Sequence, residues 1–271
     1  MSDAGNHDLH DGLLALACRL AVEAGTLAAE GRQIDIEAGA SRVAMTAATK
    51  SSLTDVVTRH DRAAEATIVD GLHAARPDDA IIGEEGTDRT GTSGVSWFID
   101  PIDGTTNFLY DLPLWCTSVG AVDSDGTIVG AVFIPATNDL FAAARGRGAS
   151  RNGRAIVASG ETELSLALVA TGFGYEPERR RAQATRLSGI APLIRDIRRT
   201  GSAAIDLCFA AAGIVDAYFE ENLQRWDMTA GELIAREAGC RTGDFHDGAA
   251  SPEELLAATP AVFDQLAALL R

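Results

Sequence analysis

The chain lacks the basic surplus of a nucleic-acid binder. It carries 23 Lys and Arg against 39 Asp and Glu, a net charge of −16 over 271 residues, whereas a phosphate backbone needs a basic surface. That balance does not oppose a small phosphate substrate, because bound metal ions reverse the local sign of charge. The remaining acidity reads as solvated surface. Paired cysteines are also missing. Cys18, Cys116, Cys208 and Cys240 lie far apart with no C-x-x-C, so reduced, mostly buried thiols are expected. No apolar run approaches membrane-span length, and the acidic, polar opening Met1–Gly12 is unlike a signal peptide. A frayed tail is expected there, with His7 and His10 part of it rather than ligands. A cytoplasmic protein with no membrane partner follows. G-x-S-x-G and G-K-[ST] are absent, which removes the serine-hydrolase and P-loop readings. The glycine-rich stretch Gly146–Gly153 lacks the spacing and strand–helix context of a dinucleotide site and reads as a connection. No internal repeat or low-complexity linker is visible.

What is present suits a folded globular protein. Hydrophobic residues make up 46% and charged ones 23%, and the length allows one large domain or two packed lobes with ample core. Leu13, Ala17, Leu20, Ala24 and Leu27 form a stripe at helical spacing, predicting a helix over Leu13–Glu30. Gly31–Lys50 has no clear period and reads as an irregular hairpin or loop. A second helix is expected from Thr58 to Ala75, its inward stripe carrying Ala64, Ile68 and Leu72. Short strands follow at Ala80–Ile82, Ser96–Ile99, Cys116–Val122, Thr127–Ile134 and Leu140–Ala144, with an antiparallel hairpin around Asp123–Gly126. The second half alternates differently. Strands are expected at Leu164–Thr171, Arg195–Arg199, Ile214–Glu220 and Leu256–Ala258, and helices at Pro177–Ile190, Ala203–Ala212, Thr229–Ala238 and from Ala261. The fold class is therefore α/β, with an α+β N-terminal half and an α/β C-terminal half in α-β-α-β-α layers. Two lobes are expected, residues 1–153 and 154–271.

The most informative stretch is W-F-I-D-P-I-D-G-T-T-N-F, Trp97 to Phe108. An apolar strand ends in Asp100, Pro101 stops it, and Asp103 follows before Gly104, which permits a sharp turn. Two carboxylates so placed repel unless a cation sits between them, and the carbonyl of Ile102 adds a third hard oxygen. Oxygen-only ligands suit Mg²⁺ or Mn²⁺ rather than zinc or copper. Taken alone, the segment also fits an ordinary solvated Asp-Pro turn. Two other acid-bearing ends keep it company: I-I-G-E-E-G with Glu84 and Glu85, and R-W-D-M-T-A-G with Asp227 at a helix head, where Asp is also a favoured cap. Trp226 reads as core packing. Asp61 lies three residues before Ala64, on the inward face of its helix, although Thr58-Arg59-His60-Asp61 also fits a capping box. A buried acid needs a partner, and a hydroxyl suits it.

On G-E-E, D-P-I-D-G-T-T-N-F, W-D-M-T-A-G and K-S-S-L-T-D-V-V-T-R-H-D (Lys50–Asp61), the chain resembles the inositol monophosphatase family of Mg²⁺-dependent, lithium-sensitive sugar phosphatases. The motifs occur in the family's order across most of the chain. The resemblance implies the layered sugar-phosphatase fold with its site between the halves, and two or three Mg²⁺ ions with Mn²⁺ as a substitute. It implies metal binding by Glu84, Asp100, the Ile102 carbonyl, Asp103 and Asp227, with Glu85 behind Glu84. It implies catalytic roles for Glu84 and for a Thr105–Asp61 pair that helps take the proton from the attacking water. Backbone N–H groups of Gly104 and Thr105 would meet phosphate oxygens. Gly201, Ser202 and Ala203 would line the substrate's ring, though Ser202 equally fits a plain helix cap. Glu220 would accept hydrogen bonds from cyclitol hydroxyls, which favours polyols. Lys50 would steady the phosphate or the loop that carries it, although an exposed loop lysine is its ordinary reading. A homodimer acting on a small phosphate ester is implied.

The expected activity is hydrolysis of inositol monophosphate. Alternatives on the same fold are fructose-1,6-bisphosphate, histidinol-phosphate and 3′-phosphoadenosine-phosphate hydrolysis, or a non-catalytic role as an RNA-polymerase- or ribosome-associated factor. Thr106 favours inositol monophosphatases, since histidinol phosphatases more often carry lysine there. The haloacid-dehalogenase motif D-x-D-G-T fails on spacing, because two residues separate Asp100 from Asp103. Tyr110, the segment Glu221–Arg225 and the segment Ala170–Gln183 depart from animal members and bear on leaving-group specificity.

Overall fold

A computed structural model describes residues 3–49 and 56–271; Lys50 lies outside them. In chain order the elements of the first half are α1 (Asp3–Glu37), α2 (Arg42–Met45), β1 (Thr46–Thr49), β2 (Val56–Thr58), α3 (Arg59–Ala75), β3 (Ala80–Gly83), β4 (Asp88–Arg89), β5 (Ser96–Asp103), α4 (Thr105–Tyr110), β6 (Cys116–Asp123), β7 (Gly126–Ile134), β8 (Asp139–Ala144), β9 (Ala149–Arg151) and β10 (Arg154–Ile156). There follow β11 (Leu168–Thr171), α5 (Pro177–Ile190), β12 (Asp196–Arg198), α6 (Ala203–Ala211), β13 (Ala217–Glu221), α7 (Arg225–Glu237), β14 (Arg241–Gly243), β15 (Glu254–Ala258) and α8 (Pro260–Leu270).

Among the described residues two large sheets organise the fold, beside the two-stranded β1–β2 pair. The larger has strand order β10-β9-β8-β7-β6-β5-β3-β4, and the smaller β12-β11-β13-β15-β14. In the larger only the β3–β5 pair is parallel. In the smaller, β11 runs parallel to β12 and β13, while β15 is antiparallel to β13 and β14. Strand alternation assigns the faces. On β7, Val129, Ala131 and Phe133 share a core with α1 and α3, while Val132 and Ile134 face a second core with α6 and α7. On β13, Tyr218 joins that middle core, whereas Ala217 and Phe219 face α8 on the far side. Five layers result, the α-β-α-β-α arrangement expected. Gly130 lets α7 press onto the large sheet: a Cβ there would lie 2.7 Å from the backbone of Ala230.

Several boundaries differ from expectation for physical reasons. The first helix is longer, so the segment carrying His7 and His10 is helical rather than a frayed tail. Over Leu9–Glu37 that helix is long and apolar enough to cross a membrane, contrary to the expectation that no stretch was. Its buried stripe of Leu13, Ala17, Leu20, Ala24 and Ala28 instead docks on the sheet and α3, each buried Leu contributing roughly 2 kcal/mol. Leu27, assigned to that stripe, is 42% exposed. Of the region read as Gly31–Lys50, the described part, residues 31–49, continues α1, then forms the short α2 and a strand paired antiparallel to β2. Part of the Gly146–Gly153 connection is strand β9. Leu164–Leu166 is a 3₁₀ turn ahead of β11. All four cysteines are free thiols, three of them buried.

Candidate active site

Pro101 does not stop β5. The strand runs on to Asp103, but two residues lie between Asp100, opposite Ser118, and Asp103, opposite Cys116, where β6 has only Thr117, so a β-bulge carries the extra residue. The parallel neighbour β3 has already ended opposite Ile99, so the missing N–H of Pro101 falls where no strand needs it. A bulge re-aims side chains, and this one gathers Asp100, Ile102 and Asp103 at the rim of a cavity of about 510 Å³ between the sheets. Asp100 is buried, and its Oδ1 accepts the Ile102 N–H at 2.9 Å. Gly104 follows at φ 94, a left-handed backbone; a Cβ there would meet the Leu114 carbonyl at 3.1 Å.

The other acids arrive from separate elements. Glu84 sits on the turn after β3, its N–H bonded to the Ile99 carbonyl at 3.2 Å, and lines the same cavity. Asp227 was expected at a helix head beginning near Thr229. The helix instead starts at Arg225, with Gln224 as its cap, and Asp227 completes a capping box through Oδ2 and the Gln224 N–H at 2.7 Å. Asp103 is held from the second half of the chain. Its Oδ2 accepts from Ser202 Oγ at 2.7 Å and from the Ala204 N–H at 2.8 Å, at the start of α6. Ser202 is buried and lines the cavity, and it also caps α6 by accepting the Ile205 N–H, so the anticipated cap is present together with the bond to Asp103. Gly201 and Ala203 line the cavity beside it, as do Gly104 and Thr105.

Asp61 is fully buried on α3. Its Oδ2 accepts the Thr58 N–H at 2.8 Å and the Thr58 hydroxyl at 2.5 Å, closing the capping box. Its Oδ1 faces Thr105 Oγ1 at 3.4 Å, a long bond; that hydroxyl lies 3.1 Å from the Ile102 carbonyl. Capping and the Thr105 contact are therefore both present. Glu220 lines the cavity on the small-sheet side. Tyr218 donates to its Oε2 at 2.8 Å, and Gly172 makes room, since a Cβ there would fall 1.8 Å from that oxygen. Glu85 does not line the cavity; its N–H bonds to Glu65. Trp226, expected as core, is half-buried and lines the cavity.

Electrostatics in the cleft are severe. Burial, then Glu84 and Asp103, push the Asp100 carboxyl well above its ordinary range. Burial raises Asp103 to about 6, against the opposing pull of Ser202 and Ala204. Burial, Asp103 and Glu84 also raise Asp227 well above its ordinary range. Glu220 is pushed up to about 7 by burial. Among the described residues no three His, Cys, Asp or Glu side chains already close into a metal cage. The fit to a divalent cation rests instead on donor chemistry and charge crowding. Oxygen donors alone are present, and a hard cation would relieve the repulsion that raises these carboxyls.

Three residues were invisible to sequence reasoning. Asn107 is buried and donates to the carbonyls of Leu114 and Thr200 at 2.5 and 2.8 Å, joining the two glycine turns. Asp206 lines the cavity from α6, raised to about 8 by burial. Glu65 holds the Glu84 turn. Asn107 stood inside the D-G-T-T-N-F motif and was the one signal available; Asp206 and Glu65 gave none.

The five-layer architecture, with its acid-lined cleft between the sheets, is the sugar-phosphatase fold. The chain belongs to the inositol monophosphatase family, whose model matches residues 10–271. An inositol-1-monophosphatase of Mycobacterium bovis is 45% identical over 233 residues, covering 82% of this chain and 80% of the relative. A Nus factor SuhB of Salmonella typhimurium is 40% identical over 238 residues, covering 87% and 86%. The crystal structure of the extragenic suppressor protein suhB from Bartonella henselae superposes with a TM-score of 0.89 at 30% identity, covering 96% of this chain and 98% of that one.

Proposed function

We propose that this protein is a Mg²⁺-dependent phosphomonoesterase that hydrolyses inositol monophosphate to inositol and phosphate. The observation that carries the reading is the convergence of Glu84, Asp100, Asp103 and Asp227, from the turn after β3, the end of β5 and the start of α7, on one cleft beside the Thr105–Asp61 contact. Glu84, Asp100, the Ile102 carbonyl, Asp103 and Asp227 would hold two or three Mg²⁺ ions, or Mn²⁺ in their place. When bound, the ions supply Lewis acidity to the phosphate and lower the pKa of water. Thr105 orients the attacking water and relays its proton toward Asp61. Gly104 and Thr105 offer N–H groups to phosphate oxygens, and Glu84 contributes to aligning the water. Glu220, steadied by Tyr218, accepts from the hydroxyls of the cyclitol, with Gly201, Ser202 and Ala203 forming the wall beside it. Glu85 stands behind Glu84, and a role for Lys50 in steadying the phosphate rests on the sequence alone. The lobes 1–153 and 154–271, a homodimer, cytoplasmic location and lithium inhibition belong to the same proposal on family resemblance.

Phosphate release from inositol 1-phosphate, with Mg²⁺ and after chelation, tests the reading. Release that ignores both chelation and the Asp103→Asn substitution would refute it. The relatives named Nus factor support a second reading, a transcription-associated role in which catalysis is incidental. An Asp100→Asn variant that keeps cellular function favours that role, and one that loses it favours the enzyme.

A further inference from the structure

The Glu84 turn is built around a carboxylate that the chemistry above does not use. Glu65 lies on α3 one turn beyond Asp61, on the same buried face, and is 5% exposed. Its Oε2 accepts the Glu85 N–H at 2.8 Å. Its Oε1 accepts the Thr87 N–H at 3.1 Å and the Thr87 hydroxyl at 2.6 Å. Gly83 lies flat on the carboxylate, and a Cβ there would fall 2.5 Å from Oε2. The turn from Gly83 to Thr87, closed by the Gly83 N–H on the Thr87 carbonyl at 2.8 Å, therefore wraps an anion supplied by another element. Glu84 is the residue at its apex that faces the cleft.

We propose that Glu65 is a positioning residue: it fixes the Glu84 turn on α3 and so sets the affinity of the cleft for its divalent cation. The inference rests on the metal-dependent reading. Three donors on one buried carboxylate hold a turn far more tightly than the β3–β4 ladder alone, which pairs only Ile81 and Ile82. Because Asp61 occupies the preceding turn of the same helix, α3 also holds Glu84 in fixed register with the Thr105–Asp61 pair.

The test is Mn²⁺ titration of the metal-free full-length protein by calorimetry, with urea unfolding of each variant and steady-state kinetics in Mg²⁺. Glu65→Gln removes the charge that the three donors face, and Thr87→Val removes one donor while leaving the fold. Glu65→Gln is expected to weaken Mn²⁺ binding by about tenfold and Thr87→Val by about threefold. KM for the ester at saturating Mg²⁺ should stay within about twofold of wild type. Variants that lose stability yet bind Mn²⁺ as the wild type does would overturn the inference alone. A wild type that binds no Mn²⁺ would instead remove the metal reading beneath it.

Discussion

Removing one of the crowded charges should make the metal-free protein more stable. Asp103 titrates at about 6 in the folded state against an ordinary 3.8. A folded-state value raised in this way gives stability that is complete below the ordinary value and is lost as pH rises through about 6. The shift corresponds to about 3 kcal/mol, which screening by cleft water reduces to ~1–2 kcal/mol. Asparagine presents an amide oxygen to Ser202 and the Ala204 N–H, so Asp103→Asn deletes the charge and keeps the bonds. In chelator, the variant should exceed the wild type by ~1–2 kcal/mol at about pH 8 and converge on it at about pH 4. Saturating Mg²⁺ should reverse the order, since a ligand at a hundred times its Kd adds about 2.7 kcal/mol to the state that binds it. Urea unfolding across pH, with and without Mg²⁺, reads all of this. A variant less stable than the wild type at about pH 8 without metal would refute the argument that uncompensated charge is stored in this cleft.

Gly172→Ala should displace Glu220, whose Oε2 occupies the space a Cβ would take; KM for inositol phosphate should rise about tenfold while that for an aryl phosphate changes little, as measured by phosphate release. Glu220→Gln should likewise harm the cyclitol ester more than the aryl ester, and equal losses on both would remove the basis for preferring a polyol. Gly130→Ala should cost roughly 2 kcal/mol in urea unfolding, because the 2.7 Å approach of α7 leaves a methyl group no room.

The acids that line the cleft were legible because they end apolar runs. Asp100, Glu84 and Asp227 each interrupt a hydrophobic pattern where a carboxylate has no packing role, and Asp61 fell on a helical stripe otherwise made of Ala64, Ile68 and Leu72. Glu65 shared that face but stood in a polar stretch, R-A-A-E-A-T, where an exposed helical glutamate is the ordinary reading. Nothing local distinguishes it: its partners Glu85 and Thr87 lie twenty and more residues away. Asp206 was hidden for a similar reason, inside an apolar helix read as core. The strand through Pro101 was misjudged because proline breaks ladders only where a partner strand is waiting, and the end of β3 depends on pairing rather than on sequence. The start of α7 moved by a turn because Gln224 and Asp227 cap it jointly.

Asp103 differs from the neighbouring acids in how its charge is borne. Asp100 accepts a local N–H and Asp227 an N–H of its own capping box, and burial with the neighbouring acids raises both carboxyls well above the ordinary range. Asp103 receives a hydroxyl and a backbone N–H from the first turn of α6, and is raised only to about 6. A helix N-terminus favours an anion through its unpaired N–H groups and its dipole. These donors offset part of the burial that raises the Asp103 carboxyl. Docking of α6 against the β5 bulge, through Ser202 and through Asn107 on Thr200, therefore orients Asp103 as well as tying the two halves of the chain together.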